Sequence, residues 1–231
     1  MCRNPSIPDL RVGTADDDSR AAPFIADLAE RYPELTVCTT AIANAIARLT
    51  ACFAAGGTLL LCGNGGSAAD ADHIAAELVK GFERRRPLPE DVAGRLEAAH
   101  RQLGPRLRAG LAGGLPAISL AAHGAFLTAH INDADPLLVF AQGVLAYGRA
   151  GDVLMCLSTS GDSPNVVAAA ATARALGITV IAITAGAGGA LRDVSDVVVA
   201  VPASGAAAVQ ELHVPVYHTL CRAVEAAFWE V

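Results

Sequence analysis

The chain has 231 residues, of which 53% are hydrophobic and 17% are charged. This composition excludes an intrinsically disordered protein, because disorder requires low hydrophobicity and high net charge. The 17 basic and 23 acidic residues give a net charge of −6, which disfavours a nucleic-acid partner, since binding to phosphate backbones depends on clustered Lys and Arg.

Targeting signals and cysteine usage point to one compartment. No uninterrupted apolar stretch reaches the roughly 18 residues of a membrane span, and residues 1–21 lack the apolar core of a signal peptide. The six cysteines form no Cys-x-x-Cys pair, which indicates free thiols in a reducing environment. We therefore expect a cytoplasmic protein that does not bind membranes.

The predicted elements alternate between strands and helices after a helical start. Residues 1–21 are predicted to be a flexible tail and residues 22–231 a single domain, with a helical insertion at 86–114. The predicted helices are 24–31, 37–55, 67–82, 89–103, 136–147, 163–176, 191–194 and 206–229, and the predicted strands are 58–62, 117–121, 153–157, 179–184 and 197–201. Continuous apolar runs are typical of parallel strands covered on both faces. The alternation predicts an α/β fold with a doubly wound, five-stranded parallel sheet flanked by helices.

The loop after the first predicted strand has the composition of a ligand-binding turn. Asn64, Gly65 and Gly66 follow the strand and precede Ser67. The glycines allow a ligand to approach the backbone closely, and Ser67 is expected to cap the next helix. On composition alone, an ordinary structural turn explains this loop equally well.

A second loop, after the third predicted strand, is rich in hydroxyl groups. Ser158, Thr159, Ser160 and Ser163 precede Pro164, which suits the first position of a helix. Hydroxyls at a helix N-terminus can bind phosphate without a lysine. Open α/β sheets bind ligands at the carboxyl ends of their strands, where both loops are predicted to lie.

Titratable residues fall on two predicted helices. His73 and Glu77 are four residues apart and share a helix face, and Gln210 and His218 share a stripe of the last helix. This set could provide a base and an acid for proton transfer, or ligands for a divalent metal such as zinc. Spacing alone favours a surface pair for His73 and Glu77. A shared metal requires convergence of Gln210 and His218, about 12 Å apart along an ideal helix, and a kink at Pro215 would provide it.

Three motifs together resemble one family. The segment 62–67, Cys-Gly-Asn-Gly-Gly-Ser, with His73 and Glu77 behind it, resembles the sugar isomerase (SIS) domain of phosphoheptose isomerases. The segment 158–163, Ser-Thr-Ser-Gly-Asp-Ser, is similar to that family's second signature. The segment 209–213, Val-Gln-Glu-Leu-His, followed by His218, resembles its C-terminal helix. The similarity runs from about residue 24 to the end, outside the insertion.

The resemblance implies an aldose–ketose isomerase that interconverts sedoheptulose 7-phosphate and D-glycero-D-manno-heptose 7-phosphate through an enediolate. It implies that Glu77 removes the proton that moves between C1 and C2. It also implies that His218 acts on the neighbouring oxygens. It also implies a zinc ion held by His73, Glu77, Gln210 and His218, and homotetramers whose sites are lined by more than one subunit. The implied substrate ligands are Asn64, Gly65, Gly66, Ser67, Glu77, Asn132, Asp133, Ser158, Thr159, Ser160, Ser163 and Gln210.

The sequence departs from the family pattern at two positions near the predicted site. Asp162 stands where the family usually has Asn, so a carboxylate lies beside the predicted phosphate unless it turns away or caps a helix. The arginine expected shortly after Glu77 is missing, although Arg84 is close by.

Two alternatives to the implied function stay open. One alternative is a non-catalytic SIS module that senses sugar phosphates or docks on a replication-initiation protein. The other is an isomerase of a different sugar phosphate. The presence of both Glu77 and His218 favours catalysis.

Overall fold

A parallel sheet forms the centre of the fold in the computed structural model, which describes residues 17–229. The described strands are β1 (Leu59–Gly63), β2 (Ala117–Ser119), β3 (Val153–Leu157), β4 (Thr179–Ala185) and β5 (Val197–Val201). The described α-helices are α1 (Asp17–Arg31), α2 (Thr39–Ala54), α3 (Gly66–Val79), α4 (Glu90–Ala98), α5 (Gly104–Gly110), α6 (Gly124–Asp133), α7 (Val139–Tyr147), α8 (Pro164–Ala175) and α9 (Ala206–Phe228). Short 3₁₀ helices lie at Pro33–Cys38, Pro136–Leu138 and Gly189–Val194.

The strand order places two strand ends side by side at the middle of the sheet. The order is β2-β1-β3-β4-β5, and every neighbouring pair is parallel. The chain leaves β1 toward β2 on one side and returns to β3 on the other. Gly63 at the end of β1 pairs with Leu157 at the end of β3. This reversal opens a crevice at the carboxyl ends of β1 and β3, where open α/β sheets bind ligands.

Helices cover both faces of the sheet, which confirms the predicted doubly wound arrangement. Leu59 and Leu61 point into a core formed with α1, α2, α3 and α9, whereas Leu60 and Cys62 point into a second core formed with α7 and α8. All five residues of β1 are buried. The continuous apolar runs of the sequence therefore arise because alternate side chains enter different cores.

The described helices differ from the predicted ones at three places. Helix α1 begins at Asp17 and runs through Pro23, so the predicted tail is helical from residue 17, and its remainder, 1–16, lies outside the described residues. Helix α6 was not predicted. None of its residues is fully buried, although Phe126 and Leu127 pack partly against the core that contains α7 and α8.

The predicted insertion forms two helices rather than the single helix predicted at 89–103. Helices α4 and α5 pack chiefly on each other. Arg108 joins them through Glu90, at 2.7 Å, and Glu97, at 3.3 Å. Of these two helices, only Ala93 and Gly104 are buried. The insertion is thus a helical hairpin appended to the domain, after which the chain re-enters the sheet at β2.

One described helical stretch, Pro33–Ala54, is long and apolar enough to cross a membrane, although 44% of it is buried inside the fold. Within it, Ile42, Leu49 and Phe53 belong to the core on the α9 side of the sheet. Core helices of globular proteins have the same apolar composition, and α2 packs as one.

Candidate active site

His73 and Glu77 lie on α3, the helix that follows the glycine-rich loop after β1. His73 Nε2 is 3.3 Å from Glu77 Oε1, and the two side chains are 43% and 18% exposed. The imidazole of His73 faces α9, where its ring centre is 5.1 Å from that of His218. The two residues therefore form the i, i+4 pair that their spacing predicts, and His73 of this pair also contacts α9.

His218, on α9, has a buried ring nitrogen without a hydrogen-bond partner. Its ring packs edge-to-face on Tyr217, at 4.9 Å, and lies 5.4 Å from Phe82. Its Nε2 is buried and has no hydrogen-bond partner, so a partner that approached it would recover a hydrogen bond. Burial, together with the neighbouring His73, lowers the pKa of His218, which favours the neutral imidazole near neutral pH.

A cleft of about 230 Å³ opens beside His218. Its charged lining includes Glu83 and Arg222, which pair at 2.8 Å. Arg222 also binds Asp27 of α1 at 2.8 Å. Arg84, by contrast, donates to the carbonyl oxygen of Trp229. The guanidinium groups that line this cleft are those of Arg31 on α1 and Arg222 on α9, and neither comes from the segment that follows Glu77.

Gln210 contacts the first turns of α3, away from the histidine rings. Its Nε2 donates to Asp70 Oδ2 at 3.0 Å, and a Cβ on Gly66 would overlap the Gln210 amide. A side chain at position 66 would therefore displace the Gln210 amide from its place against α3. Burial raises the pKa of Asp70, against the opposing effect of the Gln210 hydrogen bond.

Asp70 and Tyr217 were not predicted, yet they connect the predicted residues. The Tyr217 hydroxyl lies 3.1 Å from His73 Nδ1 and 3.5 Å from Asp70 Oδ1. Both residues are buried. Asp70 lies one helical turn before His73, a spacing visible in the sequence, whereas Tyr217 occupies a core position of α9 where an aromatic ring is expected for packing.

The hydroxyl-rich loop converges on the N-terminus of α8, as predicted. Ser163 is the N-cap and Pro164 begins the helix. The Ser158 and Ser163 hydroxyls lie 3.0 Å apart, and Ser158 Oγ accepts the Gly161 amide at 3.2 Å. Ser160 Oγ accepts the amide of Asp162 at 3.1 Å, and Thr159 lies between them, half-buried. Several hydroxyls and a helix N-terminus thus point to one place, which suits a phosphate group.

The carboxylate of Asp162 is directed away from this loop. Its Oδ1 accepts the Ala190 amide at 2.8 Å, next to the first residue of the 3₁₀ helix Gly189–Val194. Asp162 thus turns away from the predicted phosphate position and caps a helix, as expected for a carboxylate beside a phosphate. The negatively charged carboxylate of Asp162 is therefore engaged in a structural hydrogen bond.

Gly161→Ala should destabilise the protein more than Gly151→Ala, by about 1–3 kcal/mol. Both glycines have positive φ, 75° and 95°, so both substitutions carry the cost of a left-handed backbone. Only at Gly161 would the new Cβ overlap another group, the Gly188 carbonyl, because nothing lies within 4 Å at Gly151. Urea denaturation of the two variants measures the difference, and equal losses would contradict the predicted clash.

A pair of amides joins the two loops across the crevice. Asn64 and Asn165 exchange two hydrogen bonds, both of 2.9 Å. Asn165 was not predicted, because a single Asn in a helix carries no recognisable signal. Ser67 is not the N-cap of α3: Gly65, with a φ of 54°, holds that position, and Ser67 is buried in the first turn.

Asn132 and Asp133 lie apart from the other predicted residues. They are exposed at the end of α6, where Asn132 Nδ2 donates to Asp133 Oδ1 at 2.8 Å. No contact found within residues 17–229 joins them to Glu77 or Ser158. Their role in binding the substrate stays a prediction.

A buried ion pair holds the end of α3 that carries Glu77. Arg86 and Glu225 contact each other at 2.8 Å with both side chains fully buried. Arg86 also donates to the backbone carbonyls of Glu77 and Leu78. Glu225 accepts three successive backbone amides, those of residues 82, 83 and 84. The pair therefore satisfies the orphaned carbonyls at the end of α3 and shapes the segment beside His218.

The donor chemistry of the site fits zinc. Imidazole nitrogens and a carboxylate are preferred zinc ligands, and His73, Glu77 and His218 lie close together, with a buried unpaired nitrogen on His218. Among the described residues, no three His, Cys, Asp or Glu side chains are already arranged around a metal position, and Gln210 is bound to Asp70. Zinc binding thus requires side-chain rotation.

Comparison with known proteins decides the family. The SIS domain profile matches residues 24–113 and 112–185. The phosphoheptose isomerase of Rhodospirillum rubrum is 37% identical over 212 residues, covering 92% of this chain and 98% of that protein. That of Roseiflexus sp. is 41% identical over 209 residues, covering 90% and 84%. This chain belongs to the SIS-domain phosphoheptose isomerase family.

Solved structures of the phosphoheptose isomerase family share the fold of this chain. The phosphoheptose isomerase from Neisseria gonorrhoeae aligns with a TM-score of 0.68 at 31% identity, covering 90% of this chain and 98% of that one. The one from Francisella tularensis gives 0.69 at 30% identity, covering 92% and 98%. The resemblance and the SIS fold predicted from the three motifs are therefore confirmed.

Proposed function

We propose that this protein interconverts sedoheptulose 7-phosphate and D-glycero-D-manno-heptose 7-phosphate. The observation that carries the proposal is the packing of α3 on α9, which places His73, the partner of Glu77, against His218, whose buried Nε2 has no partner. Membership of the phosphoheptose isomerase family supports the choice of substrate. The hydroxyl-rich loop at the start of α8 supports a phosphorylated one.

In the proposed reaction, Glu77 removes a proton from C1 of the open-chain ketose. The electron pair forms a C1–C2 double bond while the carbonyl electrons move to O2, which gives the enediolate. His218 then carries the proton of O1 to O2, and Glu77 returns its proton to C2 while the O1 oxyanion becomes the aldehyde at C1. Each group ends in its starting state, and no atom is gained or lost. A base and a relay for oxygen-bound protons are what this sequence of steps requires.

The phosphate is proposed to bind Ser158, Thr159, Ser160 and Ser163 at the N-terminus of α8. Backbone amides and hydroxyls suffice for this, because the helix end carries partial positive charge. Asn64 and the glycines beside it are proposed to contact the sugar hydroxyls. The Asn64–Asn165 amide pair supports this assignment of the two groups. It holds the glycine-rich loop after β1 at a fixed separation from the hydroxyl-rich loop at the start of α8.

Zinc held by His73, Glu77, Gln210 and His218 remains part of the proposal. When bound, it would stabilise negative charge on the sugar oxygens. The support is the donor chemistry of the four side chains.

A panel of ketose phosphates with five, six and seven carbons tests the function. We expect the heptulose phosphate to turn over fastest, and a chelator to abolish the activity until zinc is restored. Preference for a pentulose or hexulose phosphate would leave the chemistry intact and reassign the substrate. No turnover of any of them, with capture of a protein partner, would identify a non-catalytic SIS module.

We also propose a homotetramer whose surface includes α6 and α7. Ile131, Leu137, Leu138 and Leu145 are about half exposed and lie on neighbouring elements. Asn132 and Asp133, which lack contacts to the site within the described chain, adjoin this surface. A second copy of the chain docked there supports their role as substrate ligands from a neighbouring subunit.

Leu145→Asp should dissociate this assembly, because a charge at the centre of an apolar interface is left without solvation or a partner. Leu145 is 57% exposed, and Val37, which is 75% exposed in a different region, provides the matched control Val37→Asp. Analytical ultracentrifugation measures the outcome. A Leu145→Asp protein that sediments like the wild type would exclude this surface.

The cytoplasm is the proposed compartment. Its support is the cysteines: all those in the described residues, Cys38, Cys52, Cys62, Cys156 and Cys221, are buried free thiols. Cell fractionation tests it directly.

A further inference from the structure

We propose that Asp70 is a positioning residue, which orients the side-chain amide of Gln210 so that the amide oxygen is free to accept a hydrogen bond from a sugar hydroxyl. The inference rests on the proposed function, because it concerns a glutamine assigned to the active site. None of the three motifs that resemble the family includes Asp70.

The contact between Asp70 and Gln210 joins two helices at the glycine-rich loop. Gln210 Nε2, on α9, donates to Asp70 Oδ2, on α3, at 3.0 Å. The amide lies over Gly66, the first residue of α3, because a Cβ built on that glycine would overlap both Nε2 and Oε1. Gly66 and Asp70 are four residues apart and share a face of the helix. The Gln210 amide is therefore held beside the segment that is proposed to contact the sugar.

The chemistry of the carboxylate determines which way the amide points. A carboxylate only accepts hydrogen bonds, and in a glutamine amide only the nitrogen donates. Asp70 is 7% exposed. Burial raises the pKa of its carboxyl, and the bond from Gln210 opposes this rise by favouring the ionised form. The amide nitrogen must therefore face Asp70, which turns the amide oxygen away from it.

Gln210 Oε1 is left as an available acceptor. Among the described residues no donor contacts it, and the side chain is only partly buried. A sugar hydroxyl can donate to this oxygen without the amide having to reorient, because its nitrogen is already held by Asp70. Binding to a preorganised group avoids the cost of ordering it.

Asp70→Asn tests the inference, and Asp152→Asn is its matched control. Asn both donates and accepts, so either orientation of the Gln210 amide can pair with it. Asp152 is also 7% exposed and accepts the Thr58 and Arg149 amides, both at 2.8 Å. It precedes β3, at the opposite end of the sheet from the crevice. Should Asp70→Asn fail to fold, Asp70→Ser replaces it, since a hydroxyl likewise donates and accepts.

Two quantities are measured on the full chain: KM and kcat with sedoheptulose 7-phosphate, and hydrogen exchange of the Gln210 side-chain amide by NMR. In Asp70→Asn we expect KM to rise about 3–10-fold, the effect of one weakened hydrogen bond, with kcat near the wild-type value. The Gln210 amide protons should exchange faster. Asp152→Asn should change neither KM nor this exchange, because partial unfolding lowers the apparent kcat and leaves KM unaltered.

A double substitution decides whether Asp70 acts through Gln210. In a Gln210→Ala background, Asp70→Asn should raise KM no further, because the group that it orients is gone. An equal rise of KM in both backgrounds, or wild-type KM and amide exchange in Asp70→Asn, would overturn the inference. If the wild type itself is inactive, the proposed function fails, yet the exchange of the Gln210 amide still decides the role of Asp70.

Discussion

Glu77→Gln should lower kcat for sedoheptulose 7-phosphate isomerisation by roughly 10²–10⁴-fold, the range for loss of a general base. The amide has the shape of the carboxylate but cannot accept the C1 proton. The side chain is 18% exposed and forms an ion pair with His73, so the substitution leaves the core intact. Steady-state kinetics, with circular dichroism to verify folding, provide the measurement.

The matched control is Glu211→Gln, the same substitution at an exposed position of α9. It should leave kcat and KM unchanged. His218→Ala should also remove most of the activity, because the buried Nε2 of His218, which has no partner, is the proposed relay for the oxygen-bound protons. Wild-type rates in both Glu77→Gln and His218→Ala would refute the assigned chemistry.

Glu225→Gln should reduce the free energy of unfolding by about 3–5 kcal/mol, the cost of leaving one partner of a buried ion pair without the other. Arg86 and Glu225 are both fully buried, so water cannot solvate the remaining guanidinium. The substitution also weakens the acceptor of three consecutive backbone amides. The segment between Glu77 and Arg86 should loosen as a result.

Glu90→Gln is the control for this prediction. Glu90 forms an ion pair of 2.7 Å with Arg108, but its side chain is 80% exposed, and surface pairs contribute about 0–1 kcal/mol. Guanidinium chloride denaturation of the two variants measures the difference. If both lose a similar, small amount of stability, the buried pair does not stabilise the end of α3.

The centre of the sheet was predictable because its strands are apolar on both faces. Strands β1 and β3 are buried throughout, and such runs stand out between glycine-rich loops. Helices α8 and α9 were likewise marked by Pro164 and by a long periodic stripe. The helices that were missed are short and bury little: α6 has ten residues and none fully buried, and α5 has seven residues with only Gly104 buried.

The candidate site was predicted in its outline but not in its connections. The spacing of His73 and Glu77 identified a helix face, yet only the packing of α3 on α9 brings His218 to them. Tyr217 could not be recognised, because its ring fills the core like any aromatic residue and its hydroxyl acts through tertiary contact. Asn165 acts through a partner 101 positions away, which no local pattern reveals.

Proton transfer by Glu77 is the central claim, and NMR in deuterium oxide tests it most directly. Sedoheptulose 7-phosphate incubated with the wild type should yield the aldose phosphate, with solvent deuterium entering at C2 of the product and at C1 of the ketose. Glu77→Gln should show neither product nor exchange over the same period. Absence of the aldose with the wild type, or wild-type exchange in Glu77→Gln, would contradict the account.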